Sequence, residues 1–103
     1  MAYAMRFQHQ GQNIGVVSNE NDENYAILRG FQLLIPALAD DYDRQDRILN
    51  EVNGLKVEEV RNFTFTSDAR HYRSEVRFCE AREISYEAYE AISQNADIIQ
   101  VYA

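Results

Sequence analysis

Apolar residues alternate with polar ones from the start of the chain. Tyr3, Met5 and Phe7 share one side, and Ala4, Arg6 and Gln8 the other. That period of two predicts a half-buried strand over 3–9. Gln10-Gly11 supplies a turn, and Asn13-Ile14-Gly15-Val16-Val17 reads as a return strand, so the first twenty residues predict a β-hairpin. A polar loop, Ser18 to Asn24, follows and offers helix caps.

The period then changes. Ile27, Leu28, Phe31, Leu34, Ile35 and Leu38 recur at helical spacing. Tyr25, Ile27 and Arg29 also alternate as a strand would, but the helical match is longer. Pro36 should break or kink the element. A second helix is predicted over 39–53, with Tyr42, Leu49 and Val52 on one face and Ile48 beside them. Asp40, Asp41 and Asp43 stand at its start, where the helix dipole favours negative charge. Asp40–Arg44 and Asp43–Arg47 have the spacing of helical ion pairs, and Gly54 is expected to close the helix in the left-handed conformation.

Leu55 to Thr66 reads as a strand with a bulge near Glu58-Glu59, because Val60 breaks the parity of Leu55, Val57, Phe63 and Phe65. Residues 66–70 are expected to connect it to a strand over 71–82 that turns Tyr72, Val76 and Phe78 to one face. A short helix capped by Ser85, with Tyr89 and Ile92 inward, precedes a terminal strand at Ile98–Tyr102. The order is β-β-α-α-β-β-α-β. It predicts one α+β domain over 1–103: an antiparallel or mixed sheet of about five strands, with two or three helices mainly on one face. The final β-α-β step would add a parallel pair if its strands are neighbours.

Charge and composition narrow the functional classes. Seventeen acidic residues against ten basic ones give a net charge of −7. Such a chain starts from repulsion toward phosphates, so direct binding to nucleic acid or to an anionic membrane is not expected. No apolar run is long enough for a membrane helix, and the first six residues lack the pattern of a signal peptide. The single cysteine, Cys79, fits a reducing compartment, so a cytoplasmic location is expected, in a host if the source is viral. Nine of the ten basic residues are Arg. Arg is favoured at interfaces and anion sites, although a coding bias towards Arg would leave the same trace.

Motifs for chemistry are missing. Cys79 sits between Phe78 and Glu80, with no glycine turn and only His9 and His71 as candidate bases. Two histidines and one cysteine, widely spaced, make no zinc signature. Asn19-x-Asn21-x-Glu23 begins like a calcium loop but lacks its glycine and its closing glutamate. The glycines are isolated, so no phosphate loop is present. The expectation is a protein with no catalytic residues, no metal and no cofactor.

Two surfaces remain. The first is acidic: Asp41, Asp43 and Asp46 on the second helix, with Glu87 and Glu90 on the last one. Helix capping explains part of that acidity, but not the excess. Placed where phosphates would stand, these carboxylates could occupy a basic groove on a protein partner. The reading that follows is a small protein-binding module, of the kind phages and mobile elements encode to inhibit host defence or nucleic-acid-handling proteins. The second surface is the polar face of the predicted 55–82 hairpin, where Arg73, Arg77 and Thr64 could bind a nucleotide-like anion. A structural or assembly subunit is the third reading. A homodimer is expected if an apolar edge strand is left uncovered.

Overall fold

The computed structural model describes residues 2–55, 64–69, 72–93 and 98–100, with side chains described for 2–55, 64 and 75–93. Strand β1 (Ala2–His9) and strand β2 (Gln12–Ser18) form an antiparallel hairpin. Its turn puts Gln10 at φ 54° and Gly11 at φ 78°. Two successive positive φ values give the turn a twist that matches the flanking strands, and the glycine takes its share without strain.

Helix α1 (Glu23–Leu34) is capped by Asp22, whose side chain accepts from the Tyr25 N–H. It buries Ala26, Ile27, Leu28, Gly30 and Phe31. Pro36 stops it as expected: Ile35 turns extended, and Pro36–Leu38 form one 3-10 turn. Helix α2 (Tyr42–Gly54) then returns antiparallel to α1, and Asn24 hydrogen-bonds Asn53 where they meet. Only Ile48 and Val52 are fully buried on α2.

Three expectations for α2 need correcting. Tyr42 is 71% exposed and takes no part in the core. It stands at the first helical position, more than a turn before Ile48 and Val52, the residues of α2 that reach the core. Gly54 lies inside the helix and among the described residues only Gly11 has a glycine φ above zero, so the helix ends at Leu55 without a left-handed residue. The ion pairs differ too: Arg44 bonds Asp41 rather than Asp40, and Asp43 forms no salt bridge among the described residues.

Strands β3 (Thr64–Ala69) and β4 (Tyr72–Ile84) form a second antiparallel hairpin. Thr66–Ala69 thus continue the strand instead of connecting it. Of the predicted 55–66 strand, Leu55 instead closes α2, and residues 56–63 with the Glu58-Glu59 bulge and the Phe63 and Phe65 side chains lie outside the described residues, as do the side chains of Tyr72 and Arg73. Helix α3 (Tyr86–Ser93) follows β4 directly. Ser85 Oγ accepts from the Ala88 N–H at 3.1 Å, which makes Ser85 its cap. Strand β5 (Ile98–Gln100) pairs antiparallel with β2, not with β4, so the last β-α-β step adds no parallel pair.

The sheet runs β3-β4-β1-β2-β5, all antiparallel. Three long strands, β4-β1-β2, make its centre, and α+β is the class. Phe7 is the middle of the core. Its ring meets Phe31 of α1 at 5.1 Å and Phe78 of β4 at 5.4 Å, both edge-on. Met5, Val16 and Val76 complete the floor beneath α1 and α2.

Between β1 and β4 the register slips: Arg6 faces Glu80, but Phe7 faces Phe78. Cys79 is the extra residue of a β-bulge, and it is buried, with its Sγ 3.8 Å from the Arg77 carbonyl. Expected on the outer polar face beside Arg77, it is drawn in by the bulge. Past it the parity of β4 inverts. Val76 and Phe78 face α1, whereas Glu80 and Arg82 share the reverse face with Ala4 and Arg6.

The helices are not all on one side. Val17 and Ala2 have the parity opposite to Phe7, yet both are buried. The cover on that reverse face is α3, which packs on β1 and β2 and brings Ile92 beside Val17 and Ile84.

Candidate functional site

The acidic residues divide by what they touch. Asp41 is the N-cap of α2. One carboxylate oxygen accepts from the Arg44 N–H at 3.1 Å, and the other lies 3.2 Å from Arg44 Nε. Gln45 ties the same turn down by donating to the Leu38 and Ala39 carbonyls. Asp41 is therefore committed to the helix start, and it takes the Arg44 partner that the spacing suggested for its neighbour Asp40.

Asp40, Asp43 and Asp46 are exposed. Asp43 and Asp46 follow one another at a turn's spacing along the outer side of α2, and Tyr42 shares that side with Asp46 at i,i+4. Ala37, Asp40, Tyr42 and Asp43 line a shallow depression at the start of the helix. An exposed tyrosine with carboxylates on either side can both fill an apolar notch and meet basic groups.

Glu87 and Glu90 are exposed on α3. Since α3 covers the reverse face of the sheet and α2 the obverse, the five carboxylates grouped by sequence do not form one surface. Residues 40–46 make one patch, and Glu87 and Glu90 another. Spacing along a chain carries no information about which side of a sheet a helix will take.

Thr64 and Arg77 are cross-strand neighbours, as the alternative site requires. Arg77 Nε donates to Gln8 Oε1 at 3.2 Å, and Glu75 lines the same depression with Gln8, Gln10 and Gly11. Arg73 is placed opposite Asp68 in the β3–β4 register.

Sequence reasoning missed the network that orders this face. Asn13 Oδ1 accepts from Arg6 Nη1 at 3.1 Å and from Gln8 Nε2 at 3.3 Å. Arg6 Nε reaches Glu80 Oε1 at 3.3 Å, and Gln8 turns its oxygen to Arg77. A line from Glu80 through Arg6, Asn13 and Gln8 to Arg77 thus crosses three strands. The signal available was the polar parity of Arg6 and Gln8 on β1. Asn13 is close in sequence, but the other two partners, Glu80 and Arg77, come from β4, more than sixty positions on.

Among the described residues no group of three or more His, Cys, Asp or Glu is arranged to hold a metal ion. No helix among them is long and apolar enough to cross a membrane. Comparison with protein-family models, curated protein sequences and solved structures finds no match to this chain.

Proposed function

We propose that this protein is a non-catalytic binding module that docks on a basic surface of a partner protein through α2. The carrying observation is Tyr42, 71% exposed beside Asp40, Asp43 and Asp46. At the helix start Tyr42 adds nothing to the core, and tyrosine is among the residues that dominate interface energetics. The flanking carboxylates would speed encounter with a basic partner and set its orientation. Such a module inhibits by occupation, standing where phosphates would stand. That mode suits the inhibitors that phages and mobile elements direct at host defence or nucleic-acid-handling proteins.

The test uses partner capture from the native cell or host, repeated at high salt, with the parent and an Asp40→Asn/Asp43→Asn/Asp46→Asn variant. Asp41 is kept, because it caps the helix. Association of the variant should be slower and less sensitive to salt. Equal binding and equal salt dependence would reduce these carboxylates to solvation.

A second reading places a nucleotide-like anion at Thr64 and Arg77, supported by the depression beside them. Glu75 in that depression and the engagement of Arg77 with Gln8 weigh against it. Thermal shifts across a panel of anions separate the two, since a ligand at 100 times its Kd stabilises by about 2.7 kcal/mol.

A further inference from the structure

A cleft of about 430 Å³ opens on the reverse face, between the sheet and α3. Small-molecule sites span roughly 300–1,000 Å³. Ala4, a short side chain on the central strand, forms its floor, and Val17, Ile84 and Ile92 are its apolar walls. Arg6, Glu80 and Arg82 stand around its mouth. Arg6 and Glu80 neutralise each other at 3.3 Å. Arg82 lies directly across from Ala4 in register, is exposed, and forms no salt bridge among the described residues. The mouth therefore carries one surplus positive charge over an apolar interior, in a chain of net charge −7.

We infer that this cleft binds a small aliphatic monocarboxylate, its chain between Val17, Ile84 and Ile92 and its carboxylate on the Arg82 guanidinium. Burying the chain removes apolar surface from water. A guanidinium meets a carboxylate through two parallel hydrogen bonds, which fixes which end of the ligand faces out. A second carboxylate on the far end would have to lose its water inside the cleft with no partner, so dicarboxylates are excluded by desolvation. The site is separate from the α2 surface and does not depend on it.

The experiment is calorimetric titration of the intact protein with hexanoate, heptanoate and octanoate, with octanol and octanedioate as controls. Saturable one-to-one binding is expected, tightening about fourfold per added methylene. Octanol and octanedioate should bind at least tenfold more weakly than octanoate. Arg82→Gln, at an exposed position, should abolish the preference for octanoate over octanol. Ala4→Leu should fill the floor and weaken every ligand at least tenfold. If Ala4→Leu fails to fold, the Arg82→Gln comparison decides alone. The inference is overturned by absence of saturable binding, by octanol binding as tightly as octanoate, or by an octanoate affinity that Arg82→Gln leaves unchanged.

Discussion

Gly30 of α1 lies directly against the ring of Phe7 on β1: a Cβ at position 30 would overlap the ring's Cζ and Cε1. The ring has nowhere to go, because Phe31 and Phe78 close on its other sides. A residue without a side chain thus sets how close the helical layer comes to the sheet. Gly30→Ala would ordinarily favour a helix by up to about 1 kcal/mol. Here it should destabilise the protein by about 1–3 kcal/mol, the usual cost of overpacking a core. Chemical denaturation measures it, and Phe7→Leu in the same chain should recover part of the loss. A stabilised Gly30→Ala protein would mean that α1 does not rest on Phe7.

Capping divides neighbouring aspartates into two kinds. Asp41→Ala should cost about 0.5–2 kcal/mol, because the Arg44 N–H and guanidinium both lose their acceptor. Asp41→Asn should cost less, since Asn caps almost as well and only the charge is removed. Asp43→Asn and Asp46→Asn should each stay within about 0.5 kcal/mol of the parent. Urea midpoints of the four variants give the comparison, and equal effects at 41 and 43 would remove Asp41 from the cap.

Phe7 and Tyr42 form the sharpest contrast among the aromatics. Phe7→Ala should cost about 3–5 kcal/mol, as for other buried rings. Tyr42→Ala should change stability by no more than about 0.5 kcal/mol. If α2 is the docking surface, the same Tyr42→Ala should weaken partner binding at least tenfold, about 1.4 kcal/mol. A partner indifferent to Tyr42 would direct attention to α3 or to the Thr64/Arg77 face.

Tyr3 links stability to alkaline pH. Its half-buried phenol is held above its ordinary value of 10.0 by loss of water, then by Glu83 across the β1–β4 register and by Glu23 and Asp22 at the start of α1. The folded state therefore keeps this proton where the unfolded chain releases it. Its contribution is fully present below 10.0 and is lost as pH rises from there through the raised folded value. Denaturation midpoints across that window should fall more steeply for the parent than for Tyr3→Phe. Phenolate absorbance should show one tyrosine titrating late in the parent and not in the variant. Parallel curves would contradict this placement of Tyr3.

Much of the local structure was legible because its cause is local. The β1–β2 hairpin is announced by alternation and Gln10-Gly11, the end of α1 by Pro36, and the start of α3 by Ser85. What escaped depends on distant partners. Nothing around Cys79 marks a bulge, since neither glycine nor proline is nearby. The extra residue is visible only when β1 is laid against β4. Tyr42 has the spacing of a core residue, but α2 packs on α1, and the residues it sends into the core, Ile48 and Val52, lie on its later turns. The acidic residues were half legible: the exposure of Asp43, Asp46, Glu87 and Glu90 follows from their type, but the capping role of Asp41 and the separation of α2 from α3 by the sheet do not.

The strand order also dictates a timetable. β1 sits at the centre, and its second edge is closed by β4, so Arg6 waits for a partner 74 positions further along. During synthesis the β1–β2 hairpin exists well before β4 does, and two strands alone are marginal in water. Until Tyr72–Ile84 emerges, Phe7 lacks Phe78 and β1 offers a bare row of amides and carbonyls to any neighbouring chain. Pairings this remote in sequence form slowly. The protein is thus most vulnerable to aggregation as a nascent chain, and a fragment cut before Tyr72 would carry the middle of the sheet with one side permanently open.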